Sequence, residues 1–336
     1  MTKERIAVIG AGSWGTTLAH YLAQRGHPVN LWVFEPEVRD AIERQRENPV
    51  FLPGVRLIDS ITPTNDLKAS VQGVAAIVSA GPSHVVRSLW EEVTPAVPPG
   101  STVISVSKGI ETDSLQTMSQ VIRETTGEKK GLRLSVLSGP TFAKEVSAGL
   151  PSAAIAASDD PEVALWTQAL FSGPSFRIYT GDDVLGVELG GSLKNVIALT
   201  AGISDGLELG FSARAALLVR GMAEITRLGV SMGADAHTFS GLAGFGDLVL
   251  TGTGELSRNR TVGLRLGRGE KLPDILAGMK MVAEGVETTK AAKRLGEREG
   301  VELPITVQTY RVLFEDQSPR QALKELMTRE LRREFA

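Results

Sequence analysis

Lys194 and Asn195 stand side by side in a mostly apolar stretch, Glu188-Leu189-Gly190-Gly191-Ser192-Leu193-Lys194-Asn195-Val196-Ile197, whose pattern is that of a helix. A lysine in that setting either snorkels at the edge of a core or belongs to a reactive site. The flanking Gly190-Gly191 is costly inside a helix and argues for something packed close against that face. Farther along, Gly241-Leu242-Ala243-Gly244-Phe245-Gly246-Asp247 carries a carboxylate at the end of a glycine-rich turn, and Ser257-Arg258-Asn259-Arg260 opens another helical stretch. Ser257 has the character of an N-cap. Arg258 in a first turn opposes the helix dipole, so Arg258 and Asn259 predict a bound anion, the alternative being a solvated basic turn.

Three loops in the first half add candidates. Gly81-Pro82-Ser83-His84, Ser107-Lys108-Gly109 and Ser138-Gly139-Pro140-Thr141 each follow a short apolar run and offer small residues, backbone donors or a cation. In an open parallel sheet, ligands sit beyond the carboxyl ends of the strands, which is where these loops fall. A turn needs glycine or proline but has no need of a lysine, so Lys108 is a site candidate as well as an ordinary surface position.

Gly10-Ala11-Gly12-Ser13-Trp14-Gly15 follows the first apolar run and opens a helix that ends near Gly26. Gly10 permits the tight turn, Gly12 lets backbone approach a pyrophosphate, and Gly15 lets the helix pack on the strand. The motif alone is weak, but strand, helix and second strand all fall within about 35 residues, the span a dinucleotide-binding unit requires. The second strand ends at Phe34-Glu35, and Glu35 lies 20 residues after Gly15, where an acid hydrogen-bonds the adenosine ribose. That favours NAD, unless Glu35 is a solvated turn residue before Pro36 or Arg39 folds back to offset it.

The elements that must position these residues divide the chain in two. Ile6 to Ile9, Val29 to Phe34, Ala75 to Ser79, Val103 to Val106 and Leu134 to Leu137 are uniformly apolar, as parallel strands covered on both faces are. Ala153 to Ala157 and Phe176 to Tyr179 extend that sheet. Beyond Thr180 the periodicity turns helical over 188–201, 213–228, 272–279, 286–299 and 319–330. The expected architecture is α/β: an N-terminal Rossmann-like doubly wound sheet, residues 1–181, followed by an all-α C-terminal domain, residues 182–336.

A chain of 336 residues with 42% hydrophobic and 22% charged residues has ample material for both cores. A net charge of −3, with both signs interleaved, offers no broad positive face for nucleic acid or anionic lipid, so the expected partner is a small molecule. The absence of cysteine excludes disulfides, thiolate metal sites and a cysteine nucleophile. His20, His27, His84 and His237 are scattered without ligand spacing, so no metal is expected; His84 is the one placed to touch a cofactor. The N-terminus lacks the features of a secretory signal, and no uninterrupted apolar run reaches about 18 residues, which predicts a cytoplasmic protein without stable membrane insertion.

At these motifs the sequence resembles the bacterial NAD(P)-dependent glycerol-3-phosphate dehydrogenases over nearly its whole length. Residues 10–15, Ser107-Lys108-Gly109, Ser138-Gly139-Pro140-Thr141-Phe142-Ala143, Leu193-Lys194-Asn195, Gly244-Phe245-Gly246-Asp247-Leu248 and residues 257–260 carry the resemblance in order and spacing. It implies reduction of dihydroxyacetone phosphate to sn-glycerol 3-phosphate, for glycerophospholipid synthesis, with NAD(H) or NADP(H), by a homodimer. It also implies that Lys194 transfers the proton and that Lys108 touches both cofactor and substrate. Gly139, Thr141, Asp247, Ser257, Arg258 and Asn259 fall on substrate contacts, and Ser13, Trp14, Ala143, Arg258, Val282 and Glu284 on cofactor contacts. Two residues depart from the family pattern. Phe34 stands where relatives often carry His or Arg near the adenosine, which weakens the case for NADPH, and Gly252 stands where relatives often have cysteine.

As a mechanism, hydride reaches the ketone carbon while Lys194 protonates the oxygen. Burial, with Lys108 and Arg258 as neighbouring cations, is expected to lower the lysine from its ordinary pKa of about 10.4 to roughly 7 or 8. Asp247 orients the lysine or a substrate hydroxyl, and Arg258 and Asn259 hold the phosphate. A dehydrogenase of another hydroxyacid class and a nucleotide sensor without turnover are the competing readings.

Overall fold

The computed structural model describes residues 3–127, 130–279, 281, 283–331 and 333–334. The first half alternates strand and helix: β1 (Ile6–Ile9), α1 (Ser13–Gln24), β2 (Val29–Trp32), α2 (Pro36–Gln45), β3 (Ile61–Thr64), α3 (Leu67–Ser70), β4 (Ala76–Ser79) and α4 (Val86–Val93). It continues with β5 (Thr102–Ser105), α5 (Met118–Thr126), β6 (Arg133–Ser138), α6 (Ala143–Ser147), β7 (Ser152–Ala157), α7 (Pro161–Phe171) and β8 (Phe176–Gly181). The strands form one eight-stranded sheet in the order β3-β2-β1-β4-β5-β6-β7-β8. Chain order reverses between β1 and β4, which opens a crevice at the carboxyl edge beside the β1–α1 turn.

β1, β4 and β5 are buried throughout because helices cover both faces, and each large aliphatic side chain taken from water there contributes about 1.5–3 kcal/mol. On one side Ile6, Val8, Val78 and Ile104 pack with Leu18 and Leu22 of α1. On the other, Ile77 and Val103 pack with Trp90 of α4 and Ile122 of α5.

Two features of the sheet escaped the apolar pattern. β3 (Ile61-Thr62-Pro63-Thr64) is an edge strand paired parallel to β2, and its proline is tolerated because one side of an edge needs no ladder donor. β7 runs antiparallel to β6, so the last two strands extend the sheet with reversed direction.

The remainder is helical: α8 (Val184–Gly206), α9 (Gly210–Ser231), α10 (Ala236–Ser240), a wide π-helical turn (Leu242–Gly246), α11 (Asp247–Thr253) and α12 (Arg258–Gly267). Then follow α13 (Leu272–Ala277), α14 (Glu284–Glu299), α15 (Pro304–Phe314) and α16 (Pro319–Met327). Sequence periodicity did not mark α15; its Pro304 sits in the first turn, where proline suits helix geometry.

α8 is the axis of this half. Asp183 caps it by accepting a hydrogen bond from the Gly186 N–H at 2.8 Å. The helix is long and apolar enough to cross a membrane, with a mean hydropathy of 1.2, but 89% of that window is buried inside the protein. It is the core helix around which α9, α11, α12 and α14 pack.

Candidate active site

The turn between β1 and α1 is built as its glycines require. Gly10 has φ +110° and lies against the Ala80 carbonyl, where a Cβ would sit 2.9 Å from the oxygen. A Cβ on Gly15 would overlap the carbonyl oxygen of Gly10, so strand and helix approach closely only without it. Gly12 is different: a Cβ there would meet nothing within 4 Å. The space in front of Gly12 is open, no side chain caps this N-terminus, and no acid lies in the first turn, an arrangement that fits a dinucleotide pyrophosphate on backbone N–H groups. Ser13 donates its hydroxyl to the Met281 sulfur at 3.2 Å, and the Trp14 ring packs edge-on to Phe176. The α1 neighbour Thr17 donates to the Ala143 carbonyl at 3.2 Å.

β2 stops at Trp32, short of the expected Phe34, which lies two residues past the strand, 74% exposed and set edge-on to Trp32. Glu35 is half-buried and occupies the N-cap position of α2. Arg39 does not fold onto Glu35: it donates to Asn65 Oδ1 at 3.0 Å and pairs with Asp40 and Glu43 at 3.0 and 3.2 Å.

At the other end of the cleft, charges from both halves converge on Asp247, the first residue of α11, which is 1% exposed. Lys194, also buried, donates to Asp247 Oδ1 and, at 2.7 Å, to Thr251 Oγ1 one turn farther along α11. Lys108, from the turn after β5, donates to Asp247 Oδ2 at 2.6 Å and to the Gly139 carbonyl at 3.1 Å. An ammonium carries three donors, so these two bonds of Lys194 leave capacity for a third, toward a ligand oxygen.

Burial is the largest influence on Lys194 and pushes its pKa down to about 7; Asp247 opposes, while Lys108 and Arg258 push the same way as burial. Lys194 is therefore no snorkelling side chain at a core edge. Its acidity lies where the sequence expectation put it, with burial ahead of the cations.

The paired glycines of α8 are explained by protein. A Cβ on Gly190 would sit 3.0 Å from the Ala243 carbonyl of the π-helical turn, and one on Gly191 would sit 2.7 Å from Ser138 Oγ and 3.7 Å from the Lys108 stem. Gly252 is packed against Leu218, whose Cδ2 would lie 2.6 Å from any Cβ added there.

Ser257 caps α12 as expected, accepting from the Arg260 N–H at 3.2 Å. Arg258 keeps solvent access within the cleft, yet the surrounding protein holds its pKa below the ordinary arginine value, with Glu284 acting in the opposite sense. It stays a cation at any physiological pH. Arg260 turns elsewhere, joining Arg214 on Asp205. The Asn259 amide donates to Asn195 Oδ1 and accepts from the Gly285 N–H, both at 2.9 Å, so it ties α12 to α8 and α14. Thr141 Oγ1 donates to the Gly139 carbonyl at 3.2 Å.

Glu284, at the start of α14, accepts from the Ser83 N–H at 3.2 Å and from the Ser83 hydroxyl, in the loop after β4. Sequence reasoning did not anticipate this link between halves, nor Thr251; only the one-turn spacing from Asp247 pointed to the latter. Val282 lies outside the described residues. His84 is exposed, His20 and His27 are buried, and His237 is a surface residue beside Asp235. Among the described residues no group of His, Cys, Asp and Glu is arranged to hold a metal ion.

Comparison with known proteins shows the family. Residues 5–164 match the family described as NAD-dependent glycerol-3-phosphate dehydrogenase N-terminus, and residues 183–324 match its C-terminus. The NAD(P)+ glycerol-3-phosphate dehydrogenase of Geobacter sulfurreducens is 55% identical over 332 residues, 99% of each chain. That of Geobacter metallireducens is 54% identical over 97% of this chain and 98% of its own. The crystal structure of glycerol-3-phosphate dehydrogenase from Coxiella burnetii superposes with a TM-score of 0.94 at 38% identity, covering 97% of this chain and 99% of that one.

Proposed function

The chain belongs to the NAD-dependent glycerol-3-phosphate dehydrogenase family, and on that premise we propose that Lys194 is the proton donor and Lys108, Asp247 and Arg258 the electrostatic frame of its reaction. The relatives are named NAD(P)+ glycerol-3-phosphate dehydrogenases, and the proposed reaction is reversible hydride transfer from NAD(P)H to dihydroxyacetone phosphate, giving sn-glycerol 3-phosphate. When bound, the nicotinamide supplies the hydride. Gly10, Gly12, Ser13, Trp14 and Gly15 hold the nucleotide, with Phe34 and Glu35 at its adenosine end and Ala143 and Glu284 along it.

As negative charge develops on the ketone oxygen, the Lys194 ammonium delivers a proton to it. A donor near pKa 7 is well matched to that step, since it is protonated and still acidic at working pH. Asp247 aims the lysine and keeps enough of it protonated. Lys108 sits between the Gly139 carbonyl and Asp247, where it favours the developing oxyanion. Arg258, Asn259, Ser257 and the α12 N-terminus hold the phosphate, with Gly139 and Thr141 lining the substrate. The observation that carries this reading is the buried Lys194 sharing Asp247 with Lys108 from the opposite half.

The test is Lys194→Ala, expected to lower kcat on the order of 10³-fold while NADH affinity stays within about twofold. An active K194A enzyme overturns the assignment. Arg258→Ala is expected to raise KM for dihydroxyacetone phosphate roughly 30-fold or more, the scale of a charge-assisted hydrogen bond to phosphate.

We propose further that NADH is preferred over NADPH. Glu35 at the ribose end and Arg39 engaged with Asn65, Asp40 and Glu43 support it. Initial rates with the two cofactors decide it, and a higher kcat/KM with NADPH reverses it. Residues 1–181 and 182–336 serve as the nucleotide and substrate domains. A homodimer is supported by the exposed Phe211, Val219, Val249 and Leu256 of the helical half; a monomer mass by light scattering rejects it. We propose a cytoplasmic enzyme that feeds glycerophospholipid synthesis, and cell fractionation checks the location.

A further inference from the structure

Glu188 is a buried carboxylate on α8, 5% exposed, that the proton-transfer scheme does not use. Its Oε1 accepts from the Ser119 backbone N–H at 2.8 Å and its Oε2 from the Ser119 hydroxyl, both at the start of α5; Thr117 reaches it as well. Glu188, Gly191, Ser192 and Asn195 recur at helical spacing and share one face. Along that face Ser192 donates its hydroxyl to the Gly109 carbonyl at 3.2 Å, and Gly191 lies beside the Lys108 stem, which an added Cβ would meet at an ordinary contact distance of 3.7 Å. Between those contacts, Ile110 and Leu115 insert into the helical core with Leu189, Leu193 and Ile197. The segment 108–119, which by chain order belongs to the first half, is thus fastened to α8 at both ends and in the middle.

We propose that Glu188 is a positioning residue that clamps segment 108–119 to α8, so that Lys108 and Lys194 share one rigid frame and meet on Asp247. The boundary of that frame then lies between β5 and Lys108, and the nucleotide-binding sheet adjusts against it without separating the two lysines. A buried carboxylate is a poor source of net stability, because an apolar replacement of similar size is often as stable. What it supplies here is a fixed docking position. This inference rests on the reading of Lys108 and Lys194 given above.

The groups around Lys194 provide the readout. Asp247 on α11 raises its pKa, while Lys108 from the clamped segment and Arg258 on α12 lower it. Around Glu188 itself stand Ser119, Thr117 and the cation Arg123 of α5, each of which favours the carboxylate, against burial that raises its pKa. In Glu188→Ala the segment is released and Lys108 withdraws, so the Lys194 limb in the pH profile of kcat should move upward. Turnover of dihydroxyacetone phosphate should fall roughly tenfold with NADH affinity within about twofold. Amides of 108–119 should exchange faster while those of β4 and β5 keep their protection. Glu188→Gln preserves the shape and can still bond Ser119, so it should restore the limb and the protection.

An unchanged limb with unchanged exchange in folded E188A overturns the proposal, as does an E188Q as impaired as E188A. Should E188A fail to fold, Ser119→Ala removes one arm of the clamp, and the same two measurements decide. An active K194A enzyme would instead sink the underlying reading, and the exchange experiment would still report on the clamp.

Discussion

The nucleotide end of the cleft is made of backbone, whereas the lysine end is made of buried side-chain charge. At Gly10, Gly12 and Gly15 the required property is absence: no Cβ where chain crosses chain, and none in the open space before Gly12 where the proposed pyrophosphate approaches. At Lys194 and Asp247 the required property is presence: charged groups held out of water on elements far apart in sequence. The first arrangement can be read from a short stretch of chain. The second depends on four segments arriving together, because burial and the charges of Asp247, Lys108 and Arg258 jointly set the acidity of Lys194.

The largest effect that separates the two ends is expected from Asp247→Ala. It removes the counter-ion of two lysines and should cut kcat on the order of 10²- to 10³-fold, with little change in NADH affinity. In Asp247→Asn, loss of the negative charge that raises the Lys194 pKa should move the kcat limb to lower pH; a limb that stays in place would break the assignment. Next come the glycines. Gly12→Ala puts a methyl into open space, so thermal stability should hold while NADH affinity drops about tenfold or more in titration calorimetry. Gly15→Ala forces the methyl onto the Gly10 carbonyl and should lower both Tm and affinity. Equal losses of stability in the two variants would contradict the distinction.

Wild-type ketone reduction should fall about tenfold per pH unit above the Lys194 pKa of about 7, because the donor is then deprotonated. The smallest effect concerns Glu224, a buried carboxylate whose hydrogen bonds go to α15 rather than to either lysine. It accepts from the Ile305 and Thr306 N–H groups at 2.6 and 3.2 Å, capping α15 from α9. Burial pushes its pKa up to about 7, against those bonds. The folded state therefore holds more protons than the unfolded one between about pH 4.5 and 7. Its contribution is fully present below that window and declines as pH rises through it, on the order of 1.4 kcal/mol per pKa unit. Glu224→Gln should flatten that part of the stability curve measured by urea melts, with kcat unaffected; an unchanged slope would mean that the carboxylate is not raised.

Much of the fold was legible because its signals are local. The strands buried on both faces showed as continuous apolar runs, and the turn at Gly10 and the cap at Ser257 are decided by neighbours in the chain. β3 was not legible, since Thr62 and Pro63 break the apolar pattern and are tolerated only because the strand lies at an edge. α15 was missed for a related reason: its start is satisfied by Glu224 from another helix, a partner no local pattern can announce.

By itself the sequence determined that a glycine-rich turn would follow the first strand, that a helical half would follow the sheet, and that Lys108, Lys194, Asp247 and Arg258 were the residues able to carry charge chemistry. Those are properties of residue type, periodicity and short spacing. Only the tertiary structure decided that Lys108 and Lys194 meet on one carboxylate, that Gly190 and Gly191 face protein backbone and a lysine stem, and that segment 108–119 docks on α8. The physical reason is that desolvation and charge pairing act through space. The acidity of a lysine depends on what surrounds its amine, and its surroundings here come from residues as far apart in the chain as Lys108 and Arg258.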